Sequence, residues 1–202
     1  MKKLSELKRL ITDKEQWDKF LNSERARKTM AAILLASSAI IIIWIIIFKC
    51  NNNAALHIQD NLEKTLWERF TFRLEPFTDL RYMIRSGNFD SLEFLAFIFN
   101  VVCFAPLAVC LSFFMKDGWN VLSLFLFSAS AEVFQLFSCF GGFDPTDIFL
   151  NTLGAFLGCL LMKHIRKHMS EKAMSATMLV LTPPVSIWAM VAVVLTIINF
   201  PI

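Results

Sequence analysis

The sequence is short of the residues on which zinc sites, redox motifs and hydrolytic triads depend. Its 202 residues include three histidines and five cysteines, and no two cysteines form a Cys-x-x-Cys pair. The two histidines that lie close together, His164 and His168, fall in a basic stretch where solvated side chains are commoner than zinc ligands. No Ser/His/Asp set is recognisable. We therefore expect no metal site and no cofactor, and mid-helix cysteines such as Cys103 are interpreted as small buried residues.

Long apolar runs, in contrast, are abundant. Hydrophobic residues make up 56% of the chain, and the mean hydropathy is +0.55. They form five blocks: Met30–Phe48, Leu92–Met115, Trp119–Phe140, Ile148–Met162 and Ala176–Phe200. A helix needs about 20 apolar residues to cross about 30 Å of hydrocarbon, and the fourth block reaches that length only with the loop residues before it. The blocks predict an all-α, polytopic membrane helix bundle with about five transmembrane helices.

The positive charges predict how this bundle is oriented. Fourteen of the 20 Lys and Arg residues fall in residues 1–29, at Lys116 and in residues 163–176, which are the connections on one side. The other six are spread between residues 49 and 85. Because cytoplasmic connections are enriched in positive charge, we expect the N-terminus inside and the C-terminus outside. The first block has no good cleavage site after it and is interpreted as an uncleaved anchor.

The chain divides into three segments. Residues 1–29 form a basic cytoplasmic segment with an apolar stripe, either a helix on the inner leaflet or a solvated helix. Residues 30–165 form the membrane domain, including an outer loop at 49–91, and residues 166–202 comprise a cytoplasmic connection and the last transmembrane helix. The stripe of the first segment consists of Leu4, Leu7, Ile11, Trp17 and Leu21.

Two further features concern helix boundaries. In the outer loop, apolar residues every four positions from Ile58 to Phe70 predict one amphipathic helix. Pro76 should end any helix there, and the apolar residues after it should lie at the outer interface. Pro183-Pro184 should kink or begin the last helix.

Polar and small residues follow one face of each central helix. They recur in steps of three and four, and such faces turn towards each other in lipid, where small residues allow close approach. Gly154 and Gly158 form a small-xxx-small motif that predicts helix packing. The three sets are Glu93, Ala96, Asn100 and Cys103; Ser128, Glu132, Gln135 and Cys139; and Asp147, Asn151, Gly154 and Gly158.

With the predicted orientation, these polar groups converge at the outer side. Asp144 and Asp147 allow a purely structural interpretation, in which Asp144 is an N-cap, Pro145 the first helical residue and Asp147 the acid that reaches back. Glu132 is harder to explain structurally, because an acid in mid-membrane costs about 3 kcal/mol on insertion scales. It is interpreted either as part of a functional site or as a partner in an interhelical hydrogen bond.

Four short motifs stand in order along the chain. Their residues are Leu74, Pro76 and Phe77; Asn100, Phe104, Pro106 and Leu107; Glu132 and Gln135; and Phe143, Asp144, Asp147, Asn151, Thr152 and Gly154. With these motifs, residues 30–165 resemble the VanZ-like family of bacterial membrane proteins. The first two motifs each differ from the family at one position, with Arg73 in place of an asparagine and Ala108 in place of a glycine.

The resemblance implies a role in the cell envelope, since the founding member is associated with low-level resistance to the glycopeptide teicoplanin. It also draws attention to Gly141, which stands where the family usually has an arginine. If that arginine balances the acids, Arg73, Arg81 or Arg85 must do so here, or the site is more negative.

Three functions fit these residues. The first is an envelope protein that binds membrane lipid or a lipid-linked precursor headgroup, or that alters access of a glycopeptide. The second is a membrane enzyme on a lipid-linked substrate with Glu132 or Asp144 as acid or base. The third is a small transporter, for which five helices without a repeat would require a homo-oligomer. A hard-cation site at three acids, Glu132, Asp144 and Asp147, is a further alternative, and nucleic-acid binding has no support. The candidate polar site is Glu132, Gln135, Asp144, Asp147, Asn151 and Asn100.

Overall fold

The computed structural model describes residues 14–48, 62–71, 75–87, 91–138 and 143–199. Within these ranges the secondary structure is helical, without strands, which confirms the all-α prediction. The helices are α1 (Lys14–Asn22), α2 (Glu24–Phe48), α3 (Leu66–Thr71), α4 (Thr78–Ser86), α5 (Ser91–Leu111), α6 (Asp117–Ser138), α7 (Pro145–His168) and α8 (Glu171–Asn199).

Five of these helices are long and apolar enough to cross a membrane, as the five apolar blocks predict. They are α2, α5, α6, α7 and α8. Many of their large apolar side chains remain exposed, which suits a bundle surrounded by lipid rather than water. The orientation of the bundle in the membrane stays a prediction from the charge bias.

Helix boundaries extend beyond the apolar blocks. The stretch 163–176, predicted to be a connection, is helical except at Met169 and Ser170. Its Lys, Arg and His residues favour the last turn of α7, where positive charge meets the negative end of the helix dipole. Pro183 and Pro184 both lie inside α8, so the last helix begins a full three turns earlier than those prolines.

In the described part of the outer loop, the chain is helical at residues 62–63, in α3 and in α4, and not in one continuous helix. Ile58 lies outside the described residues, and the chain is not helical at Lys64 and Thr65. Thr65 and Glu68 form a capping box: the Thr65 N–H donates to Glu68 Oε2 at 2.7 Å, and the Glu68 N–H donates to Thr65 Oγ1 at 3.2 Å. This box begins α3 at Leu66, so the prediction of one continuous helix is wrong at this point.

The N-terminal helix α1 lies against the start of α8. Of the predicted apolar stripe, Trp17 and Leu21 are on α1, and the earlier members lie outside the described residues. Lys172 of α8 forms a salt bridge with Asp18. A hydrogen bond from the same ammonium lowers the pKa of Asp18, so this contact favours the ionised carboxylate.

The long helices pack in a row, α8 on α2, α2 on α5, α5 on α7 and α7 on α6. Two apolar clusters hold them together. One joins α2, α5, α6 and α7 around Phe104 and Leu107. The other joins α2, α5 and α8 around Met30 and Met178. The two ends of the bundle are named by their residues. At the α6–α7 end, α6 finishes and α7 begins, and at the basic end Arg27 and Arg166 lie.

Candidate functional site

The start of α7 is fixed by its own sequence. Asp144 is the N-cap, with φ −121° and ψ 103°, and its Oδ1 accepts the Thr146 N–H at 2.8 Å. Pro145 is the first helical residue, where its fixed φ suits the helix and its missing N–H costs nothing. Asp144 and Pro145 thus form the helix start that their spacing predicts.

Glu132 ties the end of α6 to this helix start. Its side chain is buried, with 5% of the residue exposed, and its Oε2 accepts the backbone N–H of Asp144 at 2.8 Å. In a capping box that N–H would donate to the third helical residue, which here is Asp147. A carboxylate from the neighbouring helix takes this role instead. The cost of burying Glu132 is therefore offset by a charge-assisted hydrogen bond.

Two asparagines extend the polar contacts across the bundle. Asn100 of α5 donates from Nδ2 to Asp147 Oδ1 on α7. Asn151 of α7 donates from Nδ2 to Ser128 Oγ on α6 at 2.9 Å. Asn151 is 6% exposed. Its Oδ1 is buried and accepts no hydrogen bond from the described part of the chain. This amide oxygen is therefore an unused acceptor within the described part of the chain.

Close packing of α5 and α7 makes these contacts possible. A Cβ atom built on Gly154 would lie 2.3 Å from the carbonyl oxygen of Val101. One built on Gly158 would lie 2.3 Å from the carbonyl oxygen of Ala105. Only glycine allows this approach, which also brings Asn100 within reach of α7.

The segment before α4 also reaches the start of α7. Phe77 has a left-handed backbone, with φ 60° and ψ 24°, and its N–H donates to Thr146 Oγ1 at 2.9 Å. Its ring meets Phe149 edge to face, with 5.2 Å between ring centroids. Sequence reasoning did not select Thr146. It stands inside the Asp-Pro-Thr-Asp stretch, but nothing in the sequence identifies its partner 69 residues away.

The three arginines proposed as charge partners have different positions. Arg81 donates to Glu75 Oε2 at 2.9 Å and to the Pro76 carbonyl oxygen at 3.3 Å. Arg85 is exposed near the end of α4. Arg73 lies outside the described residues. The structure therefore brings neither Arg81 nor Arg85 to the three acids.

The site as a whole presents mainly hydrogen-bond acceptors. Gln135 is buried with Glu132 on the same face of α6. Carboxylates and amide oxygens accept hydrogen bonds from hydroxyl, amine and ammonium groups. In the described part of the chain, no three His, Cys, Asp or Glu side chains are grouped so as to hold a metal ion. Accepting hydrogen bonds from such donors is the chemistry that these side chains share.

Comparisons with known proteins identify the family of the chain. The VanZ/LLP1 family matches residues 35–166 of the chain. The protein named Protein VanZ from Enterococcus faecium is 30% identical over 149 residues, which cover 72% of this chain and 81% of that protein. No solved structure matches. The family match covers every residue of the candidate polar site, and the chain belongs to the VanZ/LLP1 family.

Proposed function

We propose that this chain acts in the bacterial cell envelope by binding the headgroup of a lipid or of a lipid-linked cell-wall precursor at the α6–α7 end. We propose further that this binding reduces susceptibility to lipophilic glycopeptides such as teicoplanin. The plasma membrane is the proposed location, with the α6–α7 end on the extracytoplasmic side.

One observation carries the proposal: polar side chains from three transmembrane helices meet at a single end of the bundle. Asn100 of α5 donates a hydrogen bond to Asp147 of α7. Glu132 of α6 accepts the backbone N–H at the start of α7. Polar residues in membrane helices are costly, and where they gather they usually mark a binding site or pathway. A ligand with a lipid tail could place its headgroup among them from the bilayer.

The buried Asn151 oxygen gives a second reason. A buried acceptor without a donor costs about 1–3 kcal/mol, because its hydration is lost without replacement. A hydroxyl or amine of a bound headgroup would supply the donor. Asn151 lies next to Ser128, which adds a hydroxyl able to turn towards the same group.

The test uses substitutions that remove charge while keeping the observed hydrogen bonds. In Glu132→Gln the amide oxygen can still accept the Asp144 N–H, and in Asp144→Asn the side chain can still cap α7. Cells expressing each variant are compared for glycopeptide susceptibility, with membrane abundance and thermal stability measured in parallel. We expect Glu132→Gln to lose protection at normal abundance, and Asp144→Asn to have a smaller effect.

Asp117→Asn is the matched control. It removes one carboxylate at the basic end, where Asp117 pairs with Lys163 at 2.9 Å, and it should leave protection unchanged. Full protection by both amide variants would remove the acids from the mechanism. Protection that falls in step with abundance would assign Glu132 a purely structural role. A parent protein that gives no protection would reject the glycopeptide part of the proposal.

A further inference from the structure

A groove and an adjoining charged depression lie towards the basic end of the bundle. The groove of about 670 Å³ runs between α5 and α7 on one side and α2 and α8 on the other. Apart from the hydroxyl residues Ser38 and Thr177, its lining is apolar. Thr177 donates its hydroxyl to the Ala173 carbonyl oxygen within α8, so the groove offers little polar chemistry.

The groove has the length of one leaflet. Along α7 and its C-cap it is lined at positions from Leu157 through Leu161 and Ile165 to Met169. Twelve residues of helix at 1.5 Å rise each cover about 18 Å. Half of a bilayer's hydrocarbon core is about 15 Å thick. An acyl chain that enters at the basic end would therefore fill the groove to about the middle of the membrane.

At the basic end the groove opens into a depression of about 410 Å³ with charged walls. The two share Met169 and Met174 as lining residues, so they form one continuous surface. The charged lining residues of the depression are Glu24, Arg27, Lys28, Arg166 and Glu171.

The charges of this depression favour an anion. Arg27, which is 6% exposed, pairs with Glu171 at 2.8 Å, and Lys28 pairs with Glu24 at 2.8 Å. Arg166 has no such partner among the described carboxylates. Its guanidinium donates to the Ser112 carbonyl oxygen and lies 5.8 Å from the centroid of the Phe113 ring. An arginine held in place with unused donors is suited to a phosphate, which it can bind through two parallel hydrogen bonds.

We propose that the basic end binds an anionic phospholipid, with its phosphate at Arg166 and one acyl chain in the groove. Cationic pockets between transmembrane helices are a known setting for acidic lipid headgroups. The charge bias places this lipid in the cytoplasmic leaflet. The site is independent of the proposed function of the α6–α7 end, because the two share no residue.

The experiment measures lipid binding to the purified full chain in detergent by native mass spectrometry. Phosphatidylglycerol is compared with phosphatidylcholine of the same acyl composition, and with glycerol 3-phosphate as a headgroup without a tail. We expect phosphatidylglycerol to bind at least tenfold more tightly than phosphatidylcholine. Glycerol 3-phosphate should not bind in the same range, because it lacks the acyl chain.

Two pairs of variants assign the site. Arg166→Gln should weaken phosphatidylglycerol binding about tenfold, while Lys167→Gln, at an exposed neighbour outside the depression, should not. Val102→Trp should block the groove at a position that is 55% exposed, whereas Val180→Trp, at 71% exposed and outside the groove, should have no effect. Because Val102 is exposed, its substitution tests the groove without disturbing the core.

Three results would overturn the proposal. Equal affinity for the two phospholipids would remove the headgroup preference. Equal losses for Arg166→Gln and Lys167→Gln would show general surface attraction rather than a site. Unchanged binding in Val102→Trp would show that the acyl chain does not lie in the groove. Melting temperatures without added lipid identify any variant whose loss of binding reflects loss of fold.

Discussion

The approach of α5 to α7 gives the sharpest quantitative prediction of stability. At Gly154 an added Cβ atom would lie 2.3 Å from the carbonyl oxygen of Val101 and 3.0 Å from its Cα. These are backbone atoms, so no side-chain rotation relieves the contact. Ordinary van der Waals separation begins at 3.4 Å, so the helices would have to separate by about 1 Å at this point. The Gly154→Ala substitution should therefore destabilise the bundle.

Two opposing effects set the magnitude. Forcing an extra methyl group into a packed interface costs about 1–3 kcal/mol. Alanine is the better helix former, and in a helix interior it gains about 1 kcal/mol over glycine. The net change is a loss of up to about 2 kcal/mol, or a fall in melting temperature of up to about 8 °C for a chain of this size. Separation of α5 from α7 would also weaken the bond between Asn100 and Asp147, which adds to the loss.

Gly118 provides the matched control on the same chain. It lies in the first turn of α6, and a Cβ atom there meets nothing within 4 Å. Gly118→Ala should leave the melting temperature unchanged or raise it. The assay is thermal unfolding in detergent followed by circular dichroism, with both single variants and Gly158→Ala. If Gly154→Ala and Gly118→Ala melt alike, the two helices do not approach as the structure has them, and the stability argument fails.

Two other predictions concern topology and the helix start. The topology test uses a background without native cysteines. Cysteines placed at Asn52 and Gly142 should react with an impermeant thiol reagent in intact cells, and a cysteine placed at Asp117 should not. Labelling only of the cysteine at position 117 would reverse the predicted orientation. Thr146→Val keeps the shape of the side chain but removes the oxygen that accepts the Phe77 N–H. It should therefore lower the free energy of unfolding by about 1–2 kcal/mol. Thr146→Ser keeps the hydroxyl and should melt close to the parent in the same assay. Equal melting of these two variants would contradict a role for the hydroxyl.

The sequence predicted the long helices well, because a membrane span is a property of local composition. Every long apolar block corresponds to a spanning helix in the structure. The boundaries were less accurate where charged residues that are good helix formers, such as Lys163 and Arg166, continue α7 beyond its apolar part. The prediction of one continuous helix in the outer loop was wrong for a local reason as well, since the capping box at Thr65 outweighs the apolar periodicity around it.

The candidate site was predictable as a set of faces but not as a set of contacts. Helical spacing placed Asn100, Glu132 and Asp147 on faces that meet, because polar faces in lipid turn inwards. The particular bonds depend on the depth of each residue along its helix, which the apolar blocks give only to within a turn. Thr146 and Phe77 could not be paired from sequence, since their contact joins a left-handed residue of the outer segment to the first turn of α7.

The distribution of charge along α7 shows which acid is the most informative to change. Asp144 and Asp147 stand at its N-terminal end and Arg166 at its C-terminal end, the arrangement that the helix dipole favours. Helix stability alone therefore gives a reason for both aspartates. Glu132 differs, because it stands in the interior of α6, where no helix terminus gives a reason for a negative charge. Glutamine there would keep an acceptor for the Asp144 N–H without the cost of a buried charge. A protein that needed only the hydrogen bond would be served as well by the amide, so Glu132→Gln separates a requirement for charge from a requirement for structure.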